Sequence, residues 1–171
     1  IEDTRGYYED RVPEAEINMI WNVPQWGSKE SVLFELATNI LSTGKTSRFY
    51  KKLVYEDQIA SSVYASINMM EIGGNLNVTS LVKPGKSAEE VELKLNEVLQ
   101  EFLEKGPTQE EMDRVRSNYF YNFLKGIERI GGFGGKSDIL ASNEIYGGSP
   151  DFYKTKLKYA SEATIGDIQK V

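Results

Sequence analysis

Residues 60–82 constrain the fold more than any other segment, because they predict a long β-hairpin. Apolar and polar residues alternate through Ala60–Ile72 and again through Asn75–Val82. Gly73 and Gly74 separate the two runs, and paired glycines are typical of tight hairpin turns. The alternating apolar residues are Val63, Ala65, Ile67, Met69, Leu76, Val78 and, after a change of phase, Leu81. The pattern predicts antiparallel strands with one face on a core.

Two further extended segments and two helices are predicted upstream of the hairpin. Thr4–Asp10 and Glu14–Val23 have the character of strands, and Pro24 ends the second because proline cannot donate to a ladder. Ser28–Leu41 carries apolar residues at helical spacing, and Ser47–Asp57 is a shorter helix of the same kind.

Helix-start signals organise the rest of the chain. Ser87 with Glu90 predicts a capping box for a helix that runs to about Lys105, and Thr108 with Glu111 predicts a second one. Later helix starts are predicted at Ser149-Pro150 and at Thr164-x-x-Asp167. The order of elements predicts a single α+β domain over residues 1–171, an antiparallel-rich sheet covered on one face by helices.

The absence of histidine and cysteine narrows the chemistry available to the 171 residues. No Ser-His-Asp triad, thiolate nucleophile or zinc site with His or Cys ligands can form within the chain. The formal net charge of −6 argues against a nucleic-acid partner. No apolar run approaches the ~20 residues of a membrane span. We therefore expect no catalytic residue, cofactor, metal, nucleic acid or membrane contact here. Because the chain begins at Ile1, we expect a domain excised from a longer protein.

Two Gly-Lys-Thr/Ser triplets, at Gly44 and Gly135, raise the question of a nucleotide site. A phosphate-binding loop also needs an earlier glycine at fixed spacing, so that backbone N–H groups can surround the phosphates. Asn39 and Ile130 occupy those two positions. We therefore expect no nucleotide partner.

Four segments, in order, resemble the insulinase/pitrilysin family of zinc peptidases. They are STGKTSRFYKKLVYEDQIASSVYAS (Ser42–Ser66), LVKPGKSAEEVE (Leu81–Glu92), KGPTQEEMDRVRSN (Lys105–Asn118) and LKGIERIGGFGGKSDILASNEIYGGSPDFY (Leu124–Tyr153). The first is similar to the family pattern G-K-x-S-R-L-Y-K-x-L-V-Y-E-x-x-I-A, and the last to a segment of the large bacterial members. The collinear match identifies the chain as a member. It implies the LuxS and mitochondrial-processing-peptidase-like two-layer fold.

The resemblance implies a non-catalytic role. In this family two halves, each of two similar domains, close around peptide, and one domain binds zinc through H-x-x-E-H and a distant Glu. This chain has no such motif. It therefore resembles a structural, peptide-enclosing domain whose partners are the other domains of the peptidase, with zinc in the parent's catalytic domain and peptide contacted indirectly. The alternative is a catalytically dead binding or assembly module of the same fold.

A second family feature is an Arg–Tyr pair that reaches substrate from the half opposite the zinc. Laid on that pattern, this chain has Val54 at the Arg position and Ser61 at the Tyr position, so both depart from it. The departures favour the second domain of the zinc-bearing half. A degenerate domain of the opposite half is the alternative. Because large bacterial relatives are often exported, we expect a periplasmic or cell-envelope location.

The remaining family-motif positions are interpreted as structural or interdomain residues. They are Gly44, Lys45, Ser47, Arg48, Tyr50, Gly131, Gly132, Phe133, Gly134, Gly135 and Lys136. Gly44 can supply a positive φ and Ser47 can cap the following helix. Lys45 and Arg48 are expected at the surface or between domains. The glycine cluster predicts either a close-packed bend with Phe133 as its buried anchor, which we favour, or a mobile loop.

Overall fold

The computed structural model describes residues 3–131 and 133–171, in which a three-stranded antiparallel sheet lies beside a layer of helices. The strands are β1 Glu16–Val23, β2 Ala60–Met69 and β3 Gly74–Val82, in the order β1-β3-β2. The helices are α1 Lys29–Ser42, a π-helix at Tyr50–Glu56, α2 Ala88–Lys105, α3 Gln109–Glu128, α4 Lys136–Gly147, a 3-10 turn at Pro150–Phe152, α5 Tyr153–Glu162 and α6 Ile165–Ile168. The predicted α+β class is confirmed.

The predicted hairpin is confirmed, although β2 ends earlier than the alternation suggests. Residues 70–73 form the turn, in which the Met70 N–H donates to the Gly73 carbonyl at 2.9 Å. Gly74 is required at the start of β3, because a Cβ there would overlap the Asn68 carbonyl oxygen and lie 2.8 Å from the Met69 Cα. The hairpin thus closes only with a residue that has no side chain.

The core lies between the helices and one face of the sheet. Its fully buried side chains include Phe49, Leu36, Ile40, Leu53, Ile59, Leu95, Met112, Val32, Val78 and Val91. The opposite face of the sheet carries exposed or half-exposed polar side chains, among them Asn18, Tyr64 and Asn68. One covered and one open face is the usual arrangement of an antiparallel sheet in a two-layer domain.

The prediction of a strand at Thr4–Asp10 is wrong, because this segment is irregular. Its Tyr7 and Tyr8 are both exposed, so the alternation of the sequence does not become alternate burial. The segment is held by a side chain, since Arg5 donates to Glu92 of α2 at 2.7 Å. Local alternation predicts an extended backbone, but a strand also needs a partner.

The helix starts follow the predicted capping residues closely. Thr108 and Glu111 form the reciprocal capping box, as do Thr164 and Asp167. The reciprocal capping box predicted at Ser87 is wrong: Ser87 accepts from the Glu90 N–H at 3.3 Å, but its hydroxyl donates to the carboxylate of Glu89. The helix predicted at Ser47–Asp57 is largely the π-helix.

Candidate functional site

The segment between α1 and the π-helix turns as the sequence suggests, but its serine plays a different part. Gly44 has a φ of 79°, and Lys45 is exposed beside it. Ser47 is buried and its hydroxyl donates back to the Gly44 carbonyl at 2.7 Å. The predicted role of Ser47 as a side-chain cap of the next helix is therefore wrong. Tyr50 opens the π-helix and is half-buried.

Arg48 is half-buried and acts as a clamp within this domain, and its contact with another domain stays a prediction. Its Nε and one terminal nitrogen donate to the Glu111 carboxylate at 2.9 and 2.7 Å. The same terminal nitrogen donates to the Gly106 carbonyl at 2.8 Å, and the guanidinium lies 5.0 Å from the Phe102 ring centroid. Paired hydrogen bonds of this kind fix both distance and orientation. Arg48 therefore ties the π-helix to the junction of α2 and α3.

The environment of Glu111 shows that this junction is electrostatically satisfied. Burial alone would raise the pKa of Glu111, but hydrogen bonds from Arg48 and from the Thr108 backbone lower it to about 2. The carboxylate serves both the Arg48 clamp and the capping box of α3. Glu111 thus both caps the start of α3 and holds the Arg48 side chain next to the π-helix.

The glycine loop, residues 131–135, folds back on its own backbone at the described residues 131 and 133–135. Gly131 and Gly134 have φ values of 80° and 76°, which other residues rarely adopt. Gly135 is buried, and a Cβ there would lie 2.9 Å from the Arg129 carbonyl oxygen and 3.0 Å from that of Gly131. The Gly134 N–H donates to Asp138 at 2.6 Å. Gly132 lies outside the described residues.

The role predicted for Phe133 as a buried anchor is wrong. Its side chain is 94% exposed, and that of nearby Ile130 is 92% exposed. The bend is closed by contacts between backbone atoms, so it needs no buried side chain. The side chains of Ile130 and Phe133 therefore project outward. Lys136, the first residue of α4, is also exposed.

The two positions that depart from the family's Arg–Tyr pair have ordinary local roles. Val54 packs against the core and has no hydrogen-bonding side chain. Ser61 lies at an irregularity in the β2 register, and its hydroxyl donates to Glu14 at 2.5 Å. Neither position offers the cation or the phenol of the family pattern.

A cleft that the sequence gives no sign of opens between α1, β2, α3, α4 and α5. It measures about 660 Å³ and contains Glu35 of α1, Tyr119 of α3 and Lys156 of α5. The Glu35 Oε1 and Lys156 Nζ atoms are 3.8 Å apart. Burial raises the pKa of Glu35, and Lys156 and Tyr119 oppose that change. Burial, then the nearby charge of Glu35, raises the pKa of the Tyr119 phenol.

Aromatic side chains form much of the cleft wall. Lys156 Nζ lies 4.6 Å from the Trp26 ring centroid, within the range of a cation–π contact. Phe123 and Tyr153 stack with their centroids 5.2 Å apart. These residues come from distant parts of the chain, so no sequence motif could have joined them to Glu35.

Neither a metal cluster nor a membrane helix is found in residues 3–131 and 133–171. No group of three or more metal-ligating side chains is close enough to hold an ion there. The donor set does not fit zinc, since His and Cys are missing from the whole sequence. Among the described helices, none combines the length and hydropathy that a bilayer crossing requires.

The comparison with protein families decides the assignment. The family model of the peptidase M16 inactive domain matches residues 2–119. The chain belongs to this family of inactive peptidase domains. The resemblance to insulinase-type peptidases is thereby confirmed, as is the non-catalytic character of the domain.

A curated relative of this M16 inactive domain is bacterial. The zinc protease PqqE of Helicobacter pylori is 24% identical over 153 residues, which are 84% of this chain and 33% of that protein. The chain therefore spans about one third of this curated relative.

Solved structures show the same fold. A protease from Helicobacter pylori has a TM-score of 0.81 at 17% identity, covering 95% of this chain and 38% of that one. An inactive peptidase domain from Bordetella parapertussis has a TM-score of 0.77 at 22% identity, covering 91% of this chain and 82% of that one.

Proposed function

We propose that this chain is the structural, peptide-enclosing domain of a larger insulinase-like zinc peptidase. The observation that carries the proposal is the match of residues 2–119 to the M16 inactive domain. The matched zinc protease is about three times as long as the region shared with this chain, which leaves room for separate catalytic domains. Zinc and the water-activating glutamate belong to one of those domains in this proposal.

The open face of the sheet is the surface best suited to enclosing peptide. Tyr64 and Asn68 of β2 lie on it with Asn18 of β1, and all three are exposed. Their amide and hydroxyl groups can bond to any peptide backbone, and the same face also carries the exposed Glu16 and Ile20 of β1. Such a wall suits a chamber that contacts substrate without positioning the scissile bond.

The exposed tip of the glycine loop is the contact that we propose for a neighbouring domain of the same peptidase. Ile130 and Phe133 expose large apolar side chains, and covering such side chains lowers the free energy by removing apolar surface from water.

Phe133→Ala tests this contact. In the isolated chain we expect its free energy of unfolding to stay within about 0.5 kcal/mol of wild type, as for other surface positions. In the parent protein we expect weaker association of this domain with the remainder when the two parts are mixed. Tyr8→Ala, which removes another exposed aromatic ring, is the matched control. Equal association of both variants would contradict the contact.

The proposed function as a whole is tested with the full-length parent and with a version that lacks these 171 residues. We expect the intact protein to bind about one zinc ion per chain and to cleave an unstructured polypeptide. The shortened protein should keep its zinc and lose cleavage of long substrates. A parent that binds no zinc would instead support a binding or assembly module of the same fold.

A periplasmic location is part of the proposal, and it rests on the resemblance to exported bacterial members. Fractionation of cells that express the parent tests it. Recovery of the protein with a cytoplasmic marker would contradict the proposal.

A further inference from the structure

The cleft beside Glu35 has the features of a ligand site that the role of an enclosing domain does not require. Its volume of about 660 Å³ lies within the range of small-molecule sites in proteins. Its residues come from the helix layer and the covered face of the sheet, so it is separate from the open sheet face. We propose that this cleft binds a free α-amino acid with an apolar or aromatic side chain.

Glu35 and Lys156 give the cleft one pair of opposite charges, which favours a zwitterion. The further carboxylate of Asp138 already accepts from the Gly134 N–H. Glu35 and Lys156 are mostly buried, with 25% and 17% of their side chains exposed. Their nearest oxygen and nitrogen are 3.8 Å apart, which is beyond hydrogen-bond distance. Among the described residues, the carboxylate that Lys156 Nζ faces is that of Glu35, and the two groups form no direct hydrogen bond. A ligand carboxylate would accept from Lys156, and a ligand ammonium would donate to Glu35.

The spacing of the two charges favours a single amino acid over a peptide. The ammonium nitrogen and carboxylate oxygens of an α-amino acid are about 3 Å apart, as standard bond lengths require. That span matches the 3.8 Å between Glu35 and Lys156 when the two dipoles lie antiparallel. Each added residue separates the ends of an extended peptide by about 3.5 Å more. A peptide could therefore engage one of the two charges but would fit the pair poorly.

The walls select the side chain of the ligand. Trp26, Phe123 and Tyr153 offer aromatic faces, and Ile67 and Leu157 add aliphatic surface. Apolar walls with a few convergent polar groups are the usual composition of small-ligand sites. An apolar or aromatic side chain would lie against these walls while the charged end meets Glu35 and Lys156.

Two buried polar groups give independent support. Thr38 and Asn143 line the cleft and are only 6% and 4% exposed. In the described part of the chain, Thr38 Oγ1 and Asn143 Oδ1 have no hydrogen-bond partner. Buried polar atoms are nearly always paired in folded proteins, so each exception calls for an explanation. The Thr38 hydroxyl can donate to a ligand carboxylate, and Asn143 Oδ1 can accept from a ligand ammonium.

Titration of the 171-residue chain with L-phenylalanine tests the proposal, with fluorescence of Trp26 as the readout. Trp21→Phe removes the other tryptophan, so the signal reports the cleft. We expect saturable binding with a dissociation constant of about 1 mM or tighter. N-acetyl-phenylalanine and phenylalanine amide, which each lack one charge, should bind at least about tenfold more weakly. No saturation below about 10 mM would overturn the proposal.

Two variants and a matched control locate the binding. Glu35→Gln and Lys156→Met should each weaken phenylalanine binding at least about tenfold, with unfolding curves that show both remain folded. Lys158→Met and Glu162→Gln alter an exposed ion pair on α5, the helix that also carries Lys156, and should leave phenylalanine binding unchanged. Undiminished binding by the cleft variants would overturn the site. Tighter binding of diphenylalanine than of phenylalanine would overturn the choice of a single amino acid.

Discussion

Two partly buried ion pairs join helices in this domain, and they differ in their hydrogen bonds and in the pKa shift of the carboxyl group. Arg48 and Glu111 meet at 2.7 Å through paired hydrogen bonds, and a backbone carbonyl takes a further donor of the arginine. Glu35 and Lys156 lie 3.8 Å apart without a hydrogen bond. The first carboxyl has a pKa lowered to about 2, and the second has a raised pKa. The two carboxyls, both partly exposed, thus shift in opposite directions.

The difference shows that hydrogen-bond geometry decides what burial does to a charge. Desolvation disfavours both carboxylates, but only Glu111 has enough short donors to overcome it. A saturated pair holds a structural junction together. An unsaturated pair retains capacity to bind something else, and this capacity motivates the ligand proposed for the cleft.

The largest effect on stability is expected from removal of Arg48, the cation of the fully hydrogen-bonded pair. Arg48→Met should lower the free energy of unfolding by about 3 kcal/mol, because Glu111 remains partly buried with fewer donors. Urea unfolding at pH 7 measures the change. Lys105→Met, which breaks the exposed pair with Glu101, is the control and should change stability by less than about 0.5 kcal/mol. Equal effects of the two variants would remove the basis of the comparison.

The pH dependence of the two carboxyls should have opposite signs. Glu111 has a folded pKa below its ordinary 4.5, so its contribution is present above pH 4.5 and is lost as the pH falls toward 2. Glu35 has a raised folded pKa, so the unfolded state releases its proton first, and stability falls as the pH rises through and above 4.5.

The free energies of unfolding of wild type, Arg48→Met and Glu35→Gln, measured from about pH 2 to about pH 7, test these signs. The gap between wild type and Arg48→Met should narrow toward pH 2. Glu35→Gln should gain stability relative to wild type as the pH rises above 4.5. Parallel curves for all three proteins would show that neither carboxyl is perturbed.

The smallest effect is expected at the loose pair. Lys156→Met should cost about 1 kcal/mol or less at pH 7, because it removes the cation–π contact with Trp26 but breaks no hydrogen bond to Glu35. A double-mutant cycle with Glu35→Gln should give a smaller coupling energy than the cycle of Arg48→Met with Glu111→Gln. A larger coupling at Glu35 would reverse the comparison.

The sequence alone predicted most of the fold because its signals are local. The hairpin of β2 and β3 follows from alternation and from Gly73-Gly74, which act over a few residues. The capping box predicted at Thr108 acts over three residues and is found as expected, and the helix start predicted at Thr164 is found as α6. Where a local signal needed a distant partner, as in Thr4–Asp10, the prediction of a strand failed.

The sequence by itself determined the order of the elements, the absence of thiol and imidazole chemistry, and the family through its collinear motifs. Only the tertiary structure decided the roles of the polar and exposed residues. Arg48 meets Glu111 across 63 positions of the chain, and Phe133 projects outward because its loop closes on backbone atoms. Periodicity and capping are short-range, whereas the pairing of charges and the exposure of a loop depend on which distant elements pack together.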